Sequence, residues 1–143
     1  MAEKTTNLFD KLNSVQGTRE LNNYIKSLEN ESISPTFAGY ISYIVSSKDL
    51  SRSEVISKSL IERTYGYQIF NGTKKAGRDK IIALCVAADM SLDEVQRGLE
   101  IAKEGILYPR DARDSLIIFA VNNHYSVHKL NNLLAEQSFD ALS

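Results

Sequence analysis

Cysteine and proline are scarce in this chain of 143 residues, which contains one cysteine, two prolines and seven glycines. Because glycine and proline mark turns and loops, their low numbers argue against long segments without regular structure. No run of about 18 apolar residues occurs, which argues against a transmembrane helix, and the first residues lack the apolar core of a secretory signal. The single cysteine, Cys85, lies in an apolar run without a second cysteine or a base beside it, which predicts a buried structural thiol. Together these features predict a cytoplasmic protein.

The chain also lacks the sequence patterns of catalytic sites. It has no glycine-rich phosphate loop, no nucleophile elbow and no ordered Ser-His-Asp set, so we expect no enzymatic activity. His124 and His128 have a spacing that can hold a metal on one helix face, but Ser126 between them is a predicted N-cap and no acidic or cysteine cluster completes a site. Asp111 and Asp114 are typical of the first turn of a helix, where the helix dipole favours negative charge. We therefore expect neither a metal nor another cofactor.

Positive charge is concentrated in one segment of the chain. Overall there are 17 Lys/Arg and 18 Asp/Glu residues, a formal net charge of -1. Residues 50–80 hold seven basic and three acidic residues, a net charge of +4, whereas residues 81–143 hold five and nine, a net charge of -4. A uniformly basic nucleic-acid-binding protein is therefore excluded, but one basic face is compatible with the sequence.

Apolar residues recur at helical spacing along the chain, and no sustained alternation of apolar and polar residues competes with it. The pattern predicts an all-α protein of about seven or eight helices. Ser34 before Pro35 predicts the start of one helix, and Ser51 with Glu54 predicts a capping box at the start of the next. A further short helix is predicted from about residue 61 to 70, closed by Gly72 as a C-cap.

The second half of the chain contains an internal repeat. Residues 78–99 align without gaps to residues 113–134 at an offset of 35, and each copy reads as an apolar helix, a short turn, an N-cap serine and a second helix. Such a hairpin cannot bury its apolar face alone, so the copies are predicted to pack on each other and on earlier helices. Both copies begin with an Arg-Asp pair, at Arg78 and at Arg113. We interpret these pairs as structural, with the aspartate at a helix N-terminus and the arginine bridging to a carbonyl or a carboxylate.

Residues 36–99 resemble the lambda-repressor-like (Cro/repressor, XRE-type) helix-turn-helix family. The resemblance is carried by a short helix from Ser51 to Ser57, by Ile61 and Ile69 in the next helix, and by the Gly72-Thr73-Lys74-Lys75 turn. It implies five helices, of which the second and third form the helix-turn-helix that presents a helix to DNA. Gly66 stands where the family usually has a β-branched residue, and it is expected to allow close approach of the second helix.

The rest of the chain extends this predicted core. The continuation LYPRDARD and the second hairpin resemble bacterial helix-turn-helix proteins of unknown role. We therefore expect an all-α, lambda-repressor-like helix-turn-helix bundle extended by N-terminal helices and a repeated C-terminal helical hairpin. The predicted parts of this single 1–143 domain are N-terminal helices in 1–33, a helix-turn-helix core in 34–105 and a C-terminal helical hairpin in 106–143.

The third helix of the predicted core and its flanks supply the candidate site. Arg63 can donate two hydrogen bonds to guanine, and Gln68 can pair with adenine. Lysines after this helix would lie where the duplex backbone passes. The predicted DNA-binding residues are Lys58, Arg63, Thr64, Tyr67, Gln68, Asn71, Thr73, Lys74 and Lys75. The alternative for each is a solvated helix surface or loop.

Two functions follow from these patterns. The first is a transcriptional regulator that binds double-stranded DNA, with the apolar C-terminal hairpin as a homodimer or protein-partner surface. The second is a protein-interaction adaptor that keeps the repressor-like fold without sequence-specific DNA binding, since Tyr65 and Tyr67 are residue types favoured as anchors in protein interfaces. No membrane partner is expected in either case.

Overall fold

A computed structural model of the chain describes residues 17–19, 21–22 and 35–143. Contacts divide the chain into two units, Met1–Pro35 and Thr36–Ser143. In the first unit, the N–H of Leu21 donates to the carbonyl of Gly17 at 2.9 Å, which closes one helical turn. The other residues of the predicted N-terminal helices, and Ser34, lie outside the described residues.

The second unit consists of seven helices, and no strand occurs among the residues described. The all-α prediction is therefore confirmed. None of the helices in this part of the chain is long and apolar enough to cross a membrane. The helices are α1 (Phe37–Ser47), α2 (Arg52–Ser59), α3 (Arg63–Asn71), α4 (Arg78–Ala87), α5 (Leu92–Ile101), α6 (Ala112–Asn122) and α7 (Val127–Glu136).

Side-chain caps set where most of these helices begin. The N-cap serine predicted in the first repeat copy is confirmed as Ser91. It forms a complete capping box, because Ser91 and Glu94 each accept a hydrogen bond from the other's backbone N–H. Ser51 makes one of the two bonds, from the N–H of Glu54 at 3.1 Å. The predicted start of α1 was wrong: Thr36, with an extended ψ of 153°, is the N-cap and accepts from Gly39 N–H.

The start of α3 also differs from the prediction by two residues. Leu60 adopts the left-handed conformation, with φ of 64°, and ends α2. The N–H of Ile61 then donates to Ser59 Oγ at 3.2 Å, so this residue belongs to the turn. The first helical residue is Arg63, after the N-cap Glu62. The predicted end is confirmed, since Gly72 is left-handed with φ of 79°.

Three helical hairpins share one turn geometry. We name them the first hairpin (α1–α2), the middle hairpin (α4–α5) and the terminal hairpin (α6–α7). In each, a left-handed residue follows the first helix, the next residue's N–H bonds to the carbonyl five positions back, and a serine then caps the second helix. The left-handed residues are Asp49, Asp89 and His124, with φ of 55°, 52° and 55°. The sequence repeat thus describes two members of a set of three.

The hairpins pack through a common pairing of helices. The middle and terminal hairpins contact each other as α4 with α7 and α5 with α6, while the first and middle hairpins contact each other as α2 with α4 and α1 with α5. The predicted packing of the two repeat copies is therefore confirmed. The middle hairpin contributes most to the core, where Ile82, Leu84 and Cys85 are completely buried. Burial raises the pKa of the Cys85 thiol far above its ordinary value, as expected of a structural cysteine.

Two crossed ion pairs join the middle and terminal hairpins. Arg78 donates to both carboxylate oxygens of Asp114 at 3.0 and 2.9 Å, and Arg113 donates to both oxygens of Asp79 at the same distances. Each arginine also donates to carbonyls of the loop after its own hairpin, Arg78 to Gly105 and Arg113 to Asp140. The structural interpretation of both Arg-Asp pairs is therefore confirmed. Because each copy gives and receives the same contact, the two hairpins are related by an approximate two-fold axis.

These contacts also perturb the titration of the buried carboxylate. Asp114 is 6% exposed. Burial opposes its ionised form, but hydrogen bonds from Arg78 and from the Tyr108 N–H outweigh this and hold the pKa of Asp114 below its ordinary value. Asp114 is thus a first-turn helix charge, as predicted, and also the anchor of an ion pair.

Gly66 permits close contact between α2 and α3. A Cβ atom built on Gly66 would lie 2.5 Å from Cγ2 of Ile56, a distance that real side chains do not tolerate. Ile56 is buried, so the two helices meet at a position where only glycine fits. The expected benefit of glycine at this position is confirmed. Glycine at this position costs roughly 1 kcal/mol of helix propensity relative to alanine.

Candidate nucleic-acid interface

One side of α3 faces outward and carries most of the predicted site. Arg63, Thr64 and Asn71 are exposed, and Tyr67 and Gln68 are half-buried. At about 100° per residue these five positions fall within an arc of about 140°. The opposite arc holds the buried residues Gly66, Ile69 and Phe70, which pack α3 against α1 and α2. The amphipathic order of α3 therefore determines which side chains reach outward.

The predicted lysines lie before and after α3 along the chain. Lys58 is exposed in the last turn of α2, and Lys74 and Lys75 are exposed in the turn that follows α3. None of the three forms an ion pair with another residue in the described part of the chain. The nine residues of α3 span about 14 Å. The lysines therefore precede and follow a short exposed helix along the chain.

The carbonyl of Gln68 accepts three of the hydrogen bonds that hold the turn after α3. The oxygen of Gln68 accepts hydrogen bonds from the N–H groups of Thr73 at 3.0 Å and Lys74 at 3.2 Å. It also accepts from the Thr73 hydroxyl at 3.2 Å. Thr73 is thus brought to the end of α3, but its hydroxyl is already used within the protein. Its role in this geometry is to position the two lysines that follow.

The two tyrosines of α3 have different surroundings. Tyr65 donates from its hydroxyl to the carbonyl of Lys75 at 3.1 Å, and Lys80 Nζ lies 5.5 Å from its ring centroid. It therefore ties the first turn of α3 to the loop after the helix. Tyr67 lies on the outward arc, where the Arg63 guanidinium carbon is 5.8 Å from its ring centroid. Arg63 and Tyr67 are thus two predicted site residues whose side chains lie in direct contact.

Glu62 is a residue of this surface that the sequence analysis missed. Its carboxylate accepts hydrogen bonds from the N–H groups of Thr64 and Tyr65, both at 2.9 Å. These two bonds lower the pKa of Glu62, which is fully exposed and negatively charged at neutral pH. The start of α3, where an anion would otherwise be favoured, is therefore occupied by a carboxylate of the protein itself. An acidic residue in the first turn of the predicted helix was the available signal.

Arg52 is a second residue of this surface that the sequence analysis left out. It begins α2, and its guanidinium carbon lies 5.6 Å from the ring centroid of Phe70 at the other end of α3. The ring is buried while Arg52 is exposed, so the arginine covers the edge of the core beside the candidate site. It adds positive charge to the surface that α2 and α3 form. Nothing in the spacing of the two residues indicates this contact.

A groove of about 500 Å³ lies beside the start of α3. It carries charges of both signs, with Glu62 and Asp79 as acids and Lys80 as a base. Asp79 is already paired with Arg113. The groove is lined by Ser59, Leu60, Ile61, Glu62, Tyr65, Asp79, Lys80, Ala83, Leu142 and Ser143.

The two histidines, His124 and His128, have different surroundings. His124 lies before α7 with Nδ1 2.9 Å from Asp89 Oδ1, and His128 is exposed on α7. No group of three His, Cys, Asp or Glu side chains suited to a metal occurs within the ranges that the structure describes.

Comparison with models of known protein families, with curated proteins and with solved structures finds no match to this chain. The lambda-repressor-like resemblance therefore depends on residues 36–99 alone and stays a prediction. Function must be inferred from what α3 exposes and from the charges around it.

Proposed function

We propose that this protein binds duplex DNA through α3, as a helix-turn-helix transcriptional regulator. The observation that carries the proposal is the outward arc of α3, on which Arg63, Thr64, Gln68 and Asn71 stand together between lysines that precede and follow the helix. Hydrogen-bonding side chains on one face of a short exposed helix are what readout of base edges in the major groove requires. Five consecutive helices, α1 to α5, agree in number with the repressor-like core that the sequence predicts.

Phosphate binding in this proposal belongs to the lysines rather than to the start of α3. Glu62 occupies the N–H groups of Thr64 and Tyr65, so those groups are not available to a phosphate oxygen. Lys58, Lys74 and Lys75 remain as exposed cations. Neutralisation of phosphates by lysine gives affinity that falls steeply with salt and depends little on sequence. We therefore propose strongly salt-dependent binding.

Titration of the protein with labelled random duplex at several salt concentrations tests the proposal. Replacing Lys74 and Lys75 by alanine is expected to reduce affinity about tenfold at about 50 mM salt and to lower the salt slope by about 2. The matched control is Lys103→Ala with Arg110→Ala, which removes the same charge from exposed positions outside this surface. Absence of binding at micromolar protein in low salt, or equal losses in the two double variants, would contradict DNA binding by this face.

The second candidate is a protein-interaction adaptor, which apolar exposure beside α3 favours. Leu60 is 58% exposed, and Tyr67 is half-buried on the outward arc. Tyrosine is among the residue types enriched as anchors of protein interfaces, and Leu60 adds exposed apolar area beside α3. Tyr67→Ala is the informative variant, because Tyr65→Ala would also release the loop at Lys75. A folded protein that fails to bind duplex at low salt would favour this second function.

A further inference from the structure

The middle and terminal hairpins differ sharply in how much of their apolar surface is covered. Leu84 of α4 is fully buried, whereas its counterpart 35 residues on, Phe119 of α6, is 50% exposed. Met90 is 2% exposed, whereas its counterpart Tyr125 is only half-buried. The terminal hairpin therefore carries aromatic side chains at positions that are closed in the middle hairpin.

The first hairpin covers one side of the middle hairpin. The hydroxyl of Tyr40 donates to the carbonyl of Glu94 at 2.9 Å, and Lys48 Nζ lies 3.2 Å from Glu94 Oε1. A Cβ atom on Gly98 would be 3.4 Å from the ring of Tyr40 and 3.5 Å from the ring of Phe37. The seat of the first hairpin on the middle hairpin thus includes Glu94 and Gly98.

The corresponding side of the terminal hairpin is open. The crossed ion pairs join the terminal hairpin to the middle hairpin. Because of the approximate two-fold axis, each of these two hairpins uses the same side for this contact. The other side, which the first hairpin covers on the middle hairpin, has no hairpin on it among the residues from 35 to 143. We name this surface the terminal face, and its residues are Phe119, Tyr125, Lys129 and Leu133.

The terminal face has an ordered aromatic centre. The rings of Phe119 and Tyr125 meet edge to face, with centroids 5.6 Å apart and planes at 83°. Lys129 Nζ lies 4.2 Å from the Tyr125 ring centroid. Lys129 and Leu133 are the counterparts of Glu94 and Gly98, which both contact the first hairpin. Apolar side chains surrounded by polar ones are typical of a protein interface.

We propose that the terminal face binds the terminal face of a second copy of this chain, giving a two-fold symmetric dimer. Both hairpin contacts within the chain pair the first helix of one hairpin with the second helix of the other. Two terminal hairpins placed face to face repeat this pairing twice, as α6 with α7 of the second copy and the reverse. The first hairpin of another copy is a poorer occupant, because its own packing side is already taken by the middle hairpin. A contact between two identical faces closes at two copies, whereas a head-to-tail contact gives a ring or an open filament.

Sedimentation of the full chain, without DNA, over a wide range of protein concentration tests this dimer. The wild-type chain is expected to sediment at twice its monomer mass. Phe119→Asp is expected to weaken the dimer by about 30-fold or more, as for a central aromatic anchor. Phe119→Ala, which adds no charge, is expected to shift the equilibrium in the same direction by a smaller factor.

Tyr43→Asp is the matched control, because Tyr43 is 46% exposed on α1 and lies outside the terminal face. It is expected to leave the dimer unchanged, and circular dichroism should show equal helix content in all variants. A wild-type chain that is monomeric throughout would overturn the proposal and would leave residues 1–34 of the same chain as the occupant to examine. A dimer that Phe119→Asp and Phe119→Ala leave intact would overturn it as well. Neither result depends on whether α3 binds DNA.

Discussion

The middle and terminal hairpins begin with the same Arg-Asp pair and turn in the same way, yet one is enclosed and the other is half open. Where the middle hairpin has Ala88, fully buried, the terminal hairpin has Asn123, which is exposed and donates to the carbonyl of Phe119 at 2.8 Å. At this position a polar residue thus stands where the middle hairpin has an apolar one. The centre of the terminal face keeps large side chains, with Phe119 and Tyr125 in place of Leu84 and Met90. The comparison teaches that the repeat preserves the backbone and the ion pairs, while burial depends on what lies beside each copy.

The largest expected difference between the two hairpins concerns Leu84 and Phe119. Leu84→Ala removes a fully buried side chain, so the free energy of unfolding should fall by about 3 kcal/mol. Phe119→Ala removes a ring that is 50% exposed, and the expected loss is within about 1 kcal/mol. Urea unfolding at low protein concentration measures both, since dimerisation would otherwise add to the apparent stability. Equal losses would show that the terminal face is covered in the monomer.

A smaller difference is expected between the two aspartates of the crossed ion pairs. The side chain of Asp114 is 8% exposed and that of Asp79 is 22% exposed. Asp114→Asn leaves Arg78 without a charged partner and weakens the bond from Tyr108 N–H, so we expect a loss of about 2 kcal/mol. Asp79→Asn should cost about half as much, because the Asp79 carboxylate is more exposed and water screens its pair with Arg113 more strongly. Thermal unfolding of the two variants side by side tests the order.

The ion pair between Arg78 and Asp114 makes the stability of the protein depend on pH with a defined sign. Folding lowers the pKa of Asp114, so its contribution to stability is complete above the ordinary value of 3.8 and is lost as the pH falls through the lowered value in the folded protein. The difference in stability between the wild-type chain and Asp114→Asn should therefore be constant near neutral pH and shrink in strong acid. A difference that grows on acidification would contradict the ion-pair account.

The smallest effect on stability is expected where the turn of the middle hairpin touches the turn of the terminal hairpin. His124 Nδ1 lies 2.9 Å from Asp89 Oδ1, but the two side chains are 71% and 68% exposed. Exposed pairs of this kind contribute little, so Asp89→Asn should change the free energy of unfolding by less than about 0.5 kcal/mol. Urea unfolding of the variant beside the wild-type chain would reveal a larger loss if the two turns were more strongly coupled than the structure indicates.

Helix positions and the repeat were largely predictable because they depend on local signals. The serine N-caps at Ser51, Ser91 and Ser126, the glycine C-cap at Gly72 and the offset of 35 all appear in the structure as predicted. The start of α3 was misplaced because the left-handed turn at Leu60 is unusual for leucine and shows no glycine in the sequence. The first hairpin was not recognised as another copy of this pattern, because Ser51 and Ser91 are 40 residues apart whereas the repeat has an offset of 35. The recurring left-handed residue, apolar residue and serine at Asp49, Asp89 and His124 were the available signal.

The candidate site was only partly predictable. Helical spacing correctly indicated that Arg63 lies on the surface of α3, but the half-burial of Gln68 depends on how α3 sits on its neighbours. The crossing of the Arg-Asp pairs was not predictable either, because a repeat shows that two positions are equivalent without showing that they touch. Glu62 escaped notice since its role depends on a helix boundary that was misplaced by two residues. DNA binding itself stays a prediction.

The contact between Ile56 and Gly66 also has a consequence for how this sequence can vary. The two residues share a space that holds one branched side chain, so a methyl group gained at residue 66 must be given up at residue 56. Substitutions at these positions are therefore conditional on each other, and their effects on stability should not add. A library randomised at residue 66 alone should return glycine, whereas one randomised at both positions should return pairs of nearly constant combined volume. Every variant that keeps this shared space filled should therefore hold α3 at the same angle to α2.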